Sequence, residues 1–143
     1  MKRMLLFLVL AAASVGAAVV FAQPPQAKPY KVVFDLTSAD QVDQRAVLRW
    51  IREVTAVNPK TETEVVMYGR GLDLVVSGKS TMTSEVAEAI SAAHATFSVC
   101  AIAMKNQQVD KGQLLPNVQI VPDGIGEIVA RQRAGWGYIK VGH

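Results

Sequence analysis

From Tyr30 onward, short apolar and β-branched runs alternate with stretches whose apolar positions recur every three or four residues, the respective patterns of strands and helices. Tyr30-Lys31-Val32-Val33-Phe34-Asp35-Leu36 predicts a first strand with Asp35 near its carboxyl end. Ser38, with Gln41 three residues on, predicts a capping box for a helix over 39–57. Its expected apolar face is Val42, Ala46, Trp50 or Ile51, and Val54, with Asp43, Arg45, Arg49, Arg52 and Glu53 toward solvent. Asn58-Pro59 stops it, because a residue before proline disfavours the α region. A second strand is expected over 62–69, centred on Val65-Val66-Met67-Tyr68, then a turn at Gly69-Arg70-Gly71 and a short helix or turn over 72–76. Thr83 or Ser84 should cap a helix reaching Ala93, with Val86, Ile90 and Ala93 on its apolar face.

Thr96-Phe97-Ser98-Val99-Cys100 lacks clean alternation, as a central strand covered on both faces does. A helix over 101–109 follows, stopped by Asp110-Lys111-Gly112. A fourth strand is expected over 117–121. A last helix, with Pro122 near its start and Ile125, Ile128 and Val129 at helical spacing, should end near Gly135, and Trp136–Val141 reads as a fifth strand. Five strands alternating with helices through short connections give the fold class: α/β, with a parallel or mostly parallel five-stranded sheet and helices on both faces.

Upstream, the pattern changes. Lys2 and Arg3 precede a charge-free apolar run from Met4 to Phe21, and Val20-Phe21-Ala22 supplies residues that a signal peptidase accepts. The expected organisation is a signal peptide over 1–22, a linker over 23–29 and one domain over 30–143, placing the mature protein in the periplasm or outside the cell. An uncleaved segment would instead serve as a membrane anchor, since about 18 apolar residues can span a bilayer. Lys2 and Arg3 belong to the 15 basic residues set against 12 acidic ones, so the mature chain is nearly neutral. No nucleic-acid surface is expected from such a balance.

Candidate chemistry concentrates on Cys100, the only cysteine, which excludes an internal disulfide. The strand-to-helix reading puts it at the carboxyl edge of the sheet, where ligands and reactive groups collect in open α/β folds, and next to helix amides that favour negative charge. Asp35 would oppose a thiolate if it lay close. His94 belongs at the other end of the strand, and neither it nor His143 stands at a zinc-ligand spacing from Cys100, so no metal is expected. Gly69-Arg70-Gly71 lacks a third glycine. Ser77-Gly78-Lys79-Ser80 lacks the first glycine of a phosphate loop, Asp73 standing there, so no nucleotide cofactor is expected. Trp136 and Tyr138 share one side of the last strand and are expected to pack within the subunit or an oligomer interface.

Tyr30-Lys31-Val32-Val33-Phe34-Asp35, Val65-Val66-Met67-Tyr68-Gly69-Arg70-Gly71, Phe97-Ser98-Val99-Cys100, Val121-Pro122-Asp123-Gly124 and Gln132-Arg133-Ala134-Gly135-Trp136-Gly137-Tyr138-Ile139 together resemble the DsrE/DsrF-like family of sulfur-relay proteins. The resemblance implies a three-layer α/β/α domain, assembly into trimers or hexamers, and a cysteine after a central strand that accepts sulfur as a persulfide and passes it to a partner thiol. Cys100 is the matching position. Relatives often carry a polar residue directly after this cysteine, whereas Ala101-Ile102-Ala103-Met104 is apolar here. The implied partners are a sulfur donor or acceptor protein and further copies of the chain. The competing class is a non-catalytic oligomeric module that binds a small ligand or a protein, with Cys100 as a structural core thiol, free cysteine being among the most buried residue types.

Overall fold

The computed structural model describes residues 28–142. The expected signal segment and its cleavage point, most of the linker, and His143 lie outside the described residues. Five strands form one sheet: β1 (Lys31–Leu36), β2 (Glu62–Met67), β3 (Thr96–Cys100), β4 (Gln119–Val121) and β5 (Gly137–Val141). Every pairing is parallel and the order is β4-β3-β2-β1-β5. The helices are α1 (Gln41–Val57), α2 (Thr83–Ser91), α3 (Ala101–Asn106) and α4 (Gly124–Arg133), with 3-10 segments at Gly69–Val75 and Lys111–Gln113.

Strand order explains the layering. From β1 through β2 and β3 to β4 the chain steps in one direction across the sheet, and right-handed crossovers put each connecting element on the same face. The step from β4 to β5 runs back past the whole sheet, so α4 covers the opposite face alone. The larger core accordingly joins Val32, Phe34 and Leu36 of β1 and Val65 and Met67 of β2 with Val47, Leu48 and Ile51 of α1, Leu72 and Leu74 of the first 3-10 segment and Val86 of α2. The α4 face buries only Val33, Val66 and Ile128, flanked by Tyr68 and Trp136. Full burial of such a side chain stabilises by about 1.5–3 kcal/mol, so α4 is held by far less apolar contact than the elements opposite.

Polar contacts make up part of the difference. Glu64, fully buried on β2, accepts a hydrogen bond from Ser98 Oγ at 2.5 Å. Its other oxygen lies 2.5 Å from Arg131 Nε on α4. Arg131 also pairs with Glu127 one turn back, at 2.8 Å, and its guanidinium lies 4.8 Å from the Trp136 ring centre. A charge buried this completely requires such a partner. Arg131 therefore ties α4 and the start of β5 to the middle of the sheet.

Several expected details change. Asp40, not Ser38, caps α1: its carboxylate accepts from Val42 N at 2.7 Å, while Ser38 Oγ accepts from Asp40 N. The buried face of α1 is Asp43, Gln44, Val47, Leu48 and Ile51. Val42 is exposed, Trp50 is half-buried with its ring 6.2 Å from that of Phe34, and Asp43 is buried rather than solvated. The helix is thus rotated relative to the periodicity reading, and Val54 and Val57 near its C-terminus are half-buried and exposed. Met82 rather than Thr83 or Ser84 precedes α2, without a side-chain cap. The helix after Cys100 stops at Asn106, and Asp110 caps a separate 3-10 turn. The turn expected at Gly69-Arg70-Gly71 opens a 3-10 segment, β2 ends at Met67, and the last strand begins at Gly137. Gly71 is required there: a Cβ on it would stand 2.0 Å from the Leu36 carbonyl oxygen, so the 3-10 segment lies directly on the end of β1.

Candidate functional site

Cys100 is the last residue of β3 and is 4% exposed. Its position follows from alternation along a strand. Phe97 and Val99 enter the larger core, while Ser98 bonds Glu64 on the α4 face; Cys100, at the strand end, alternates with Ser98 toward the start of α4 and still packs with the larger core. The pairing of Met67 with Val99, carried one residue further, sets Tyr68 beside Cys100 on the next strand. Gly124, the first residue of α4, closes over both. A Cβ built on it would lie 3.2 Å from Cys100 Cβ and 3.3 Å from Tyr68 Cδ1. Any larger residue at 124 would push into the cysteine or the phenol ring.

A third strand completes the cluster. Asp35, near the end of β1 and 5% exposed, accepts hydrogen bonds from two phenols at the same oxygen: Tyr138 Oη at 2.7 Å and Tyr68 Oη at 3.3 Å. Its other oxygen, Oδ1, is buried without a hydrogen-bond partner. The phenols respond to this carboxylate. Tyr138 is pushed up to about 12, first by the hydrogen bond to Asp35, then by burial and by the charges of Asp35 and Tyr68. Tyr68 is raised by burial first, then by the charge and hydrogen bond of Asp35, with a further contribution from Cys100. Both phenols are thus neutral at ordinary pH, each spending its one proton on Asp35.

Four consecutive strands, β3, β2, β1 and β5, therefore bring Cys100, Tyr68, Asp35 and Tyr138 together at the carboxyl side of the sheet on the α4 face. Asp123 closes this side by capping α4, its carboxylate accepting from Ile125 N and Gly126 N at 3.1 Å each. The arrangement offers a shielded thiol beside a neutral phenol, with a buried carboxylate two strands away. Among the described residues no three His, Cys, Asp or Glu side chains converge as a metal-binding group, and no helix is long and apolar enough to cross a membrane.

Of the residues singled out from the sequence, Cys100 and Asp35 fall in this cluster. His94 is exposed at the other end of β3, beside a cleft of about 360 Å³ between α1 and α2 that Arg52, Ala89 and Ala92 also line. Trp136 packs against the α4 face as expected. Tyr68 and Tyr138 escape sequence reasoning as site residues. The available signal was weak: a tyrosine just past a strand and another within one, whose meeting with Asp35 depends on strand order. Glu64 carried a clearer signal, a carboxylate directly before the apolar run Val65-Val66-Met67.

A sequence profile of the DsrE/DsrF-like family matches residues 17–141. Among solved structures, the protein of unknown function MTH1491 from Methanobacterium thermoautotrophicum is 29% identical with a TM-score of 0.74, over 78% of this chain and 98% of that one. The ychN protein from E. coli shares 9% identity with a TM-score of 0.65, over 79% and 99% respectively, and so shares the fold. No match was found among curated proteins. With the profile spanning every described strand and the fold agreeing throughout, the chain belongs to the DsrE/DsrF-like family.

Proposed function

We propose that this protein is an exported carrier of sulfane sulfur in which Cys100 accepts a sulfur atom as a persulfide and passes it to a partner thiol. The carrying observation is the placement of Cys100 at the carboxyl end of a central strand, between Tyr68 and the glycine that opens α4, in a DsrE/DsrF-like fold. In the step proposed, the Cys100 thiolate attacks the outer sulfur of a donor R–S–SH. The S–S bond of the donor breaks, a new S–S bond forms on Cys100, and the leaving thiolate takes up the proton that Cys100 gave up. The result is Cys100–S–SH and R–SH, with no net oxidation. Transfer to an acceptor repeats the same exchange.

Export rests on the leader over 1–22. Assembly into a trimer or hexamer is part of the proposal, supported by Ile125 and Val129, which project from α4 at 60% and 39% exposure. Light scattering of the purified mature protein checks the subunit number. The decisive experiment exposes the folded mature protein to a polysulfide donor: intact-mass analysis should show one added sulfur atom, removed by reductant and absent from Cys100→Ser. The second reading, a core thiol in a binding module, is favoured by the 4% exposure of Cys100. It prevails if no adduct forms and thiol reagents reach Cys100 only in denaturant.

A further inference from the structure

Every polar group at the Cys100 cluster bears on the charge of what approaches it. Asp35 is a buried carboxylate on the same face, two strands from Cys100, and two strand spacings amount to about 10 Å. The Tyr68 phenol between them and the Tyr138 phenol beyond Asp35 on β5 are neutral and donate to that carboxylate, so neither has a proton left for an anion. The amide end of α4, a long helix start and the usual place for an anion, is taken by the side chain of Asp123, which brings a second carboxylate, while α3, which starts at Cys100 without a side-chain cap, is only six residues long and its macrodipole is correspondingly short. The cations are committed or exposed: Arg70 and Lys79 both pair with Asp73, Lys105 in the last turn of α3 is exposed, and Lys140, the register partner of Asp35, is exposed and forms no ion pair among the described residues. Asp35 Oδ1 is buried without a hydrogen-bond partner, so no bond at that oxygen offsets the carboxylate's charge.

From this geometry we infer that the Cys100 site selects by charge, taking a neutral or cationic sulfane donor such as a protonated organic hydropersulfide, and rejecting sulfur oxyanions such as thiosulfate. The donor class rests on the sulfur-carrier reading above; the charge preference of Cys100 is measurable without it. A unit negative charge about 10 Å from Asp35, at the effective dielectric of a partly buried site and after screening, is disfavoured roughly tenfold.

Three methanethiosulfonates of similar size test this, bearing a sulfonatoethyl, a hydroxyethyl or a trimethylammonioethyl group. In each, the Cys100 thiolate attacks the divalent sulfur, a mixed disulfide forms and methanesulfinate leaves, a step that matches attack on a sulfane sulfur. Labelling rates of the folded protein, each divided by the rate for a free model thiol, should fall in the order cation, neutral, anion, with about tenfold between successive reagents and so a cation-to-anion ratio roughly a hundredfold above that of the free thiol. Asp35→Asn should shrink the ratio at least threefold, and Asp123→Ser, which keeps a capping hydroxyl, should shrink it less. Should Asp35→Asn fail to fold, the wild-type ratio and Asp123→Ser still decide. A wild-type ratio equal to that of the free thiol overturns the charge selection even where the polysulfide adduct forms. Failure of all three reagents to label the folded protein overturns the selection and the carrier reading together.

Discussion

Arg131→Met is the most informative single perturbation of the fold around Cys100. Glu64 is fully buried, and in the variant its charge keeps only the hydrogen bond donated by Ser98. Removing one partner of a buried ion pair costs about 3–5 kcal/mol. The Arg131 side chain is 35% exposed, so water can take up part of the lost interaction and the lower end applies. Loss of the guanidinium over Trp136 adds about 0.5–1 kcal/mol, while methionine keeps much of the packing. The expected loss is about 3 kcal/mol. Urea denaturation followed by circular dichroism reads it as a fall in midpoint of more than about 1 M, given slopes of about 1–3 kcal/mol/M. The double variant Glu64→Gln/Arg131→Met should be less destabilised than the sum of the two single ones, by at least about 1 kcal/mol. Because α4 starts over Cys100, Arg131→Met should also speed thiol labelling of the folded protein. A midpoint within about 0.2 M of wild type at unchanged slope would refute the argument that Arg131 holds Glu64 and α4.

Two glycines give contrasting outcomes. Gly71→Ala forces a methyl group to 2.0 Å from a backbone carbonyl oxygen that cannot move aside, and thermal melts should show a loss above about 3 kcal/mol or no folded protein. Gly124→Ala meets Cys100 and Tyr68 at 3.2–3.4 Å, and the helix gains about 0.5–1 kcal/mol; melting should change little, whereas Cys100 labelling should slow. The Tyr138 proton is held more tightly in the folded protein, at about 12, than in an unfolded chain at about 10. Its stabilising contribution is therefore complete below about pH 10 and is lost as the pH rises toward 12. An ultraviolet phenolate titration should show a late-ionising phenol that is missing from Tyr138→Phe.

Local pattern determined a good deal by itself. β-Branched runs and helical spacing located all five strands, and Thr96–Cys100 has the predicted bounds, because a buried parallel strand needs a continuous apolar run that little else in a soluble domain produces. The place of Cys100 at a strand's carboxyl end follows from that run and the helix formers after it. Face and neighbourhood did not follow. Val42 and Asp43 of α1 exchanged their expected environments because the rotation of a helix is set by where the sheet lies beneath it, which its own periodicity only approximates. Asp35 meets Tyr68 33 residues away and Tyr138 103 residues away, and both meetings depend on the order β3-β2-β1-β5. Strand order arises from the long crossover that sends α4 to the opposite face, a non-local choice with no signature in any single segment. The sequence thus specified the thiol and its place along the chain, while the tertiary structure set beside it the Tyr68 phenol and the bare backbone of Gly124 and, further along the same sheet edge, the Asp35 carboxylate and the Tyr138 phenol.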